Sequence, residues 1–487
     1  MQESVMSESQ ETRLEPALLR LLGVLVLGAI LALLDATVVN VGIDSLGKEF
    51  DSPLSTIQWV ATGYLLAVAV MVPISGWAID RFGGRAVWIT GLAVFLGGSL
   101  LTGFAWDAGS LIVFRILTGF GGGVLEPTML TLLARAAGPA RAGRVMGLMS
   151  LPLMLGPVIG PVIGGVVLEW LDWQWLFFFK VPIGIVAVVL ALKVVPGAEK
   201  GGGQAQPFDL RGVLLLCPGF AALMYAFSQA GGIEGFGQTR VVVGLIAGVV
   251  LILGYVIHAF GSKIAPLVDL RLFSSWGFSA SVAAMFLVGG MLYSLLFLVP
   301  LYYQQVRGNG ALAAGLLLAP QGLGALVGMP LAGRLSDKLG AKLLVPAGAA
   351  LVAIGTVGYT QAGASSNLVV LAACSVVSGL GLGMVGAPAI ASVYRTVPPS
   401  SAAGASSALM ILNQIGGSMT VALVAWVLAS KTLAADSLTT GFHHAFWWVV
   451  GAAVIVFLFG FLLPGRPEQQ PAPEPVKESG DPVPGAA

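Results

Sequence analysis

Apolar runs long enough to cross a bilayer, on the order of 20 residues each, recur from residue 18 to residue 463. In hydrocarbon every backbone polar group must find its partner within the protein, and an isolated run does this only as a helix. The chain is 57% hydrophobic and 10% charged, with mean hydropathy +0.92, against about 25% charged residues in soluble domains. An all-α polytopic membrane protein follows. Fourteen spans are predicted, at 18–42, 55–77, 86–105, 110–133, 144–169, 175–195, 211–230, 240–260, 276–299, 311–333, 343–361, 367–391, 403–429 and 442–463. A net charge of +1 supplies no basic field for nucleic acid. Cys217 and Cys374 lie in apolar stretches and form neither a disulfide framework nor a metal spacing. His443 and His444 read as interface residues, and no metal or other cofactor is expected. Met1 to Pro16 lacks the basic start of a cleavable leader, so the first span is expected to remain as a helix.

Loop charge sets the orientation. With the N-terminus in the cytoplasm, the inside segments hold Arg81, Arg85, Arg135, Arg141, Arg144, Lys263, Arg271, Arg334, Lys338 and Lys342, among others. The outside loops hold Lys48, Arg240, Arg307 and Lys431. Positive charge stays inside, so both termini are expected in the cytoplasm. The polar, Gly-rich PGAEKGGGQAQPFDLRG stretch at 196–212 reads as a linker, and the Pro-rich acidic segment from 466 onward as a disordered tail. GWAIDRFGGR at 76–85 recurs as GRLSDKLGAK at 333–342, each after an apolar span. Repeated halves with matching loops are typical of secondary transporters.

Asp35 stands inside the first span. An ionised carboxylate there costs several kcal/mol, on the order of 3 or more, unless it is paired, protonated or wetted. Its use is to exchange a proton or to bind a cation; a permanent structural pair with an arginine is the alternative.

Four motifs resemble the fourteen-span drug:proton antiporter branch of the major facilitator superfamily, over roughly residues 18–463. LDATVVNVGI at 34–43 is similar to that branch's first-span signature, with Gly42 and Asp44 in place of Ala and Pro. GWAIDRFGGR resembles its loop signature, carried by Gly76, Asp80, Arg81, Gly83 and Arg85; the second copy supplies Asp337 and Lys338, with Ala341 replacing an arginine. RILTGFGGGVLEP at 115–127 resembles its fourth-span signature, with Thr118 in place of Gln. GPVIGPVIGG at 156–165 matches the antiporter signature in full, through Gly156, Pro157, Gly160, Pro161, Gly164 and Gly165. The prolines, with Pro152, are expected to bend the fifth span. WQWLFFFKVPIG at 173–184 is similar to the stretch opening the sixth span, with Lys180 in place of the usual Asn. Either Glu169 or Asp172 is a possible partner for Lys180, or it points into the cavity.

The resemblance implies two six-helix bundles around a central cavity, with two extra helices between them. The segments are 1–17, an N-terminal cytoplasmic piece; 18–195, the first bundle; 196–210, a linker; 211–260, the extra pair; 261–463, the second bundle; and 464–487, a tail. It implies a monomeric multidrug efflux protein of a bacterial-type cytoplasmic membrane that exchanges protons for lipophilic small molecules and performs no enzymatic chemistry. Asp35 is the candidate proton site. Arg115 lies at comparable depth in the outer half of its span, so the two are expected to couple: Arg115 near Asp35 favours the carboxylate, and Arg115 far away lets it protonate. The alternative for Arg115 is snorkelling to the outer interface. Glu126, eleven residues from Arg115, shares its helix face about 16 Å away. It is a second proton site, a cation-attracting group, or a solvated residue near the cytoplasmic surface. The loop copies are expected to gate the cytoplasmic side. Candidate cavity residues are Asn40, Trp59, Tyr64, Tyr293, Phe297, Tyr302, Gln321, Asn413 and Gln414. The lack of acidic residues in the later spans favours monovalent cationic or neutral substrates. An exporter of one endogenous metabolite, lipid or self-made antibiotic is the rival within this fold; a non-transporting membrane receptor or scaffold is the rival outside it.

Overall fold

A computed structural model describes residues 15–52, 54–197, 208–231, 235–262, 264, 266–398, 401–435 and 437–463. Among them there are helices and no strands. Helix α1 (Pro16–Glu49) begins on a proline, whose missing N–H is no loss in a first turn. It is followed by α2 (Leu54–Phe82), α3 (Gly84–Gly103) and the long α4 (Ala108–Trp170). Asp107 caps α4 by accepting from the Ser110 N–H at 2.6 Å, and the Ser110 hydroxyl accepts from the Asp107 N–H in return. At Gly138 the backbone turns to φ 66°, which divides α4 into arms 108–138 and 139–170. The expected fourth and fifth spans are thus two helices that meet at the Gly138 kink. The short α5 (Trp175–Phe178) and α6 (Lys180–Val194) complete the first half.

Next come α7 (Leu210–Gln229) and α8 (Thr239–Gly261). The second half holds α9 (Trp276–Gln305), α10 (Ala311–Leu316), α11 (Ala319–Leu339), α12 (Ala341–Val357), α13 (Leu368–Arg395), α14 (Ala402–Ala435) and α15 (Leu438–Gly460). Among the described residues, 13 helices are long and apolar enough to cross a membrane. The other expected span, 144–169, is helical throughout, but many side chains of that arm, including those of Pro152, Pro157 and Pro161, lie outside the described residues. The chain is a multi-pass membrane protein. Its lipid-facing character is plainest on α8, where Val243, Ile246, Val250, Leu253 and Ile257 are all exposed.

The repeated loop appears as a repeated turn. Gly83 and Gly340 take φ 82° and 77°, a region that side chains with a Cβ avoid, and each lets a new helix start directly after the last. Within the first half, α4 packs against α1, α2 and α3, and α6 against α1 and α3. Within the second, α13 packs on α11 and α12, and α15 on α9, α12 and α14. The halves meet along α4 with α11 and α13, and along α2 with α14. Small residues allow these crossings, because without Cβ bulk two backbones approach closely in lipid. Gly147 lies on the Met329 carbonyl and Gly333, and Gly76 lies on Ala403 and Ser407.

Side-chain hydrogen bonds between the halves sit toward the end of the bundle that carries Gly83 and Gly138. Ser75 and Ser407 hydroxyls are 3.4 Å apart, and those of Thr131 and Ser406 are 2.7 Å apart. Tyr394 joins the second pair, its hydroxyl 2.7 Å from Ser406. Helix α7 packs on both α2 and α14, so the extra pair straddles the seam. A Cβ at Gly76 would stand 2.9 Å from Ser407 Oγ and 3.2 Å from the Ala403 carbonyl. Gly76→Val is therefore expected to weaken this closure by about 1–3 kcal/mol. Cysteines placed at 75 and 407 should then crosslink less than in the parent; unchanged crosslinking would refute the contact.

Candidate functional site

The first span carries its carboxylate into a fully enclosed cluster. Asp35 is 0% exposed, Arg115 1% and Lys180 0%. Arg115 Nη1 donates to Asp35 Oδ2, and Lys180 Nζ donates to Asp35 Oδ1. Each carboxylate oxygen is thus held by a cation from a different helix, the first arm of α4 and the start of α6. Arg115 is fixed further. Its Nε donates to the Val60 carbonyl of α2 at 3.1 Å, and its guanidinium lies 4.3 Å from the Tyr64 ring centroid. The Tyr64 hydroxyl donates to the Ala32 carbonyl at 3.0 Å, one turn before Asp35. Lys180 Nζ sits over aromatic faces, 5.2 Å from the Phe177 centroid and 5.9 Å from that of Phe95. Ring quadrupoles, the Val60 carbonyl and the single carboxylate are what these two basic groups have in place of water.

The glycines of the 156–165 stretch seat the helix that carries Asp35. Gly156 meets Leu33, and Gly160 meets Thr37 and Val38, so the two lie against α1 on either side of the carboxylate position. Gly164 is buried, while Gly165 has open surroundings. The side chains of Pro157 and Pro161 lie outside the described residues. Thr118, where the resembled pattern has Gln, is buried against Gly98, which would not admit a Cβ there.

Glu126 is separate from this cluster. It is partly exposed though it stands midway through a long buried run, and it is within electrostatic range of Tyr64, Tyr293 and Tyr394. Those tyrosines belong to both halves, so Glu126 faces the space between them. Tyr293, midway along α9, is 38% exposed and rests on Gly417. Gln321 is 5% exposed, and neither side-chain amide atom has a hydrogen-bond partner among the described residues. Asn413 donates to the Met285 carbonyl at 3.0 Å, which ties α14 to α9. Gln414 and Phe297 are half-buried, the latter against the main core.

Two cavity expectations need correction. Tyr302 is 0% exposed and packs edge-on against Tyr303, Tyr359 and Phe442 inside the second half. Trp59 faces outward to stack on Tyr225 of α7, with ring centroids 6.4 Å apart. In both cases aromatic packing sets the side of the helix on which the ring lies. The Asn40 side chain lies outside the described residues.

At the Gly83 turn, Asp80 Oδ1 accepts from Arg135 Nη2 at 2.9 Å, and Arg85 Nη2 donates to the Leu192 carbonyl at 2.6 Å. Arg81 is exposed. Arg135 belongs to no motif quoted above; its one sequence signal is a basic residue at the end of the fourth span. In the second half, Arg395 ends α13 as Arg135 ends the first arm of α4, and it donates to the Ser336 carbonyl at 3.2 Å. Asp337 and Lys338 lie, as side chains, outside the described residues.

Two helical halves that meet around an interior carboxylate, with a charged cluster sealed inside one of them, define a multi-pass membrane transporter. The sequence profile of the Major Facilitator Superfamily matches residues 25–421, and the chain belongs to that family. It is 36% identical over 422 residues to a multidrug resistance protein B homolog of Mycobacterium tuberculosis, covering 86% of this chain and 78% of that one. It is 32% identical to the cephamycin export protein CmcT of Amycolatopsis lactamdurans, covering 90% of each. Its fold is similar to that of the proton:xylose symporter XylE, with TM-score 0.65 at 15% identity over 92% of this chain and 96% of the other.

The cluster makes a stability prediction. Asp35→Asn leaves the Arg115 guanidinium without its carboxylate in the interior and is expected to cost about 3–5 kcal/mol. Adding Arg115→Gln removes the permanent guanidinium charge and should recover much of that loss. Thermal unfolding in detergent reads both, and a double variant no more stable than Asp35→Asn would refute the charge argument.

Proposed function

We propose that the chain is a proton-coupled antiporter that exports lipophilic cationic or neutral compounds across a bacterial cytoplasmic membrane by alternating access. The observation that carries this reading is the Asp35 carboxylate held without solvent between Arg115 and Lys180. A buried charge of this kind is costly, and a protein that retains it inside a membrane has a use for its ionisation. Family membership and relatives named for multidrug resistance support the direction of transport. In this reading both termini are cytoplasmic and the Gly83 end faces the cytoplasm. The closed contacts there, with Asp80, Arg135 and Arg85, form the inner gate. The protein works as a monomer: 18–195 and 261–463 rock against each other, and 211–260 is the added pair. Gly156 and Gly160 let α1 and the second arm of α4 stay close while they move.

Substrate is held between the halves by Glu126, Tyr293 and Gln321. Glu126 attracts cationic compounds, and the apolar surroundings accept neutral ones. A second reading, an exporter of one self-made or endogenous compound, is favoured by the likeness to a protein named for cephamycin export. A transport panel of chemically varied compounds separates the two.

The test is reconstitution in liposomes under an imposed pH gradient, with tetraphenylphosphonium as the cationic probe. The parent should accumulate the probe against its gradient, and Asp35→Asn should not. Gradient-driven transport by Asp35→Asn equal to that of the parent would refute the coupling role; no flux by the parent would favour a receptor or scaffold. Glu126→Gln is expected to weaken tetraphenylphosphonium binding about tenfold, as one partly screened charge would, and to leave a neutral lipophilic probe little changed. Equal loss for both probes would place Glu126 outside the substrate site.

A further inference from the structure

Charge balance within the cluster singles out one atom. Asp35 contributes one negative charge; Arg115 contributes one positive charge that is never given up in proteins. Those two already sum to zero. A charged Lys180 brings the enclosed site to one net positive charge, and a protonated Asp35 beside two cations brings it to two. Among the described residues, no other acidic side chain is paired with these groups. Helix α6 packs on α1, α3 and α5. Toward Lys180, α1 presents Asp35, α3 presents Phe95 and α5 presents Phe177, while α4 contributes Arg115 and α2 contributes Tyr64 beneath it. Glu126 lies eleven residues beyond Arg115, about 16 Å along the helix. A neutral amine still donates an N–H to Asp35 Oδ1, so the contact survives loss of the proton. Protonating Asp35 would instead leave both of its oxygens facing donors while one of them carried a hydrogen of its own.

We propose that Lys180 is the proton carrier of this cluster and that Asp35 is its lasting counter-ion. The proton adds to the lone pair of Nζ and leaves from it, and no other bond changes. Uptake raises the net charge of an enclosed site. The charged state therefore favours rearrangement of α6 against α1 and α4, and release lets the closed packing re-form. This rests on the antiporter reading for its purpose, but the identity of the carrier is measurable without it.

Infrared difference spectra across neutral pH, taken on the substrate-free protein in lipid with 13C-carboxyl-labelled aspartate, should show no isotope-shifted carboxylic-acid band. Appearance of such a band in the parent but not in Asp35→Asn means that Asp35 takes the proton and overturns the proposal. Proton uptake across the same range should fall by one proton per chain in Lys180→Arg, which keeps the charge and the donors but does not titrate. Under a pH gradient, Lys180→Arg should transport tetraphenylphosphonium about tenfold or more below the parent, the scale of a lost coupling between sites. A merely positioning lysine would be rescued by arginine, so parental uptake and transport in Lys180→Arg also overturn the proposal. If the parent shows no gradient-driven flux, the antiporter reading fails, while the spectra and the proton count still decide the carrier.

Discussion

One carboxylate between an arginine and a lysine is the interaction around which the first half is arranged. Asp35 on α1 is reached from α4 by Arg115 and from α6 by Lys180, so three helices distant in sequence share a single acidic group. Removing water from charged groups is expensive, and their mutual attraction repays this only with close geometry and satisfied donors. The site shows those conditions: Arg115 also reaches Val60, its guanidinium lies over Tyr64, and Tyr64 is itself anchored on α1. The glycines that bring the second arm of α4 against Leu33 and Thr37 keep α1 at the required distance.

The two halves share a turn and a packing plan but not a chemistry. Where the first half encloses charge, the second encloses hydroxyls and rings. Tyr303 lies 3.3 Å from the Tyr359 hydroxyl, and Tyr359 lies 2.5 Å from Ser375. Tyr302, Phe442 and Phe446 surround them. Uncharged groups of this kind have no ionisation to balance, so this core gives the second half rigidity without a dependence on pH. The asymmetry puts the enclosed ion pairs in one half and the tyrosine cluster in the other.

Much of this was legible in the chain. Span number, the repeated Gly83 and Gly340 turns and the presence of a costly Asp35 all follow from hydropathy and local patterns, which depend on near neighbours in sequence. The pairing with Arg115 followed from comparable depth, which rise per residue fixes, together with the resemblance, which places spans one and four side by side. Lys180 was conspicuous as a residue, yet Glu169 and Asp172, the partners weighed for it, are exposed and it reaches Asp35 instead, since sequence does not tell which way a long side chain turns. Helix rotation is likewise why Tyr302 and Trp59 were assigned to a cavity they do not line. Arg135 was missed because the bond to Asp80 joins two helix ends that only tertiary packing brings together. The positively charged stretch between the fourth and fifth spans reads as a loop, and the structure reduces it to a kink at Gly138.

Helix α7 has hold of both halves at once. Cys217 donates to the Val70 carbonyl of α2 at 3.2 Å, and on the far side Ser418 of α14 donates to Met224 Sδ at 3.4 Å. Any separation of α2 from α14 must either break one of these contacts or drag α7 and α8 with one partner. The inserted pair is thus a strap across one flank of the seam; on the opposite flank, where α4 meets α11 on bare backbone at Gly147, the described residues include no such strap. If the halves of such a transporter part, the strapped flank is the spine and the other is the edge that opens.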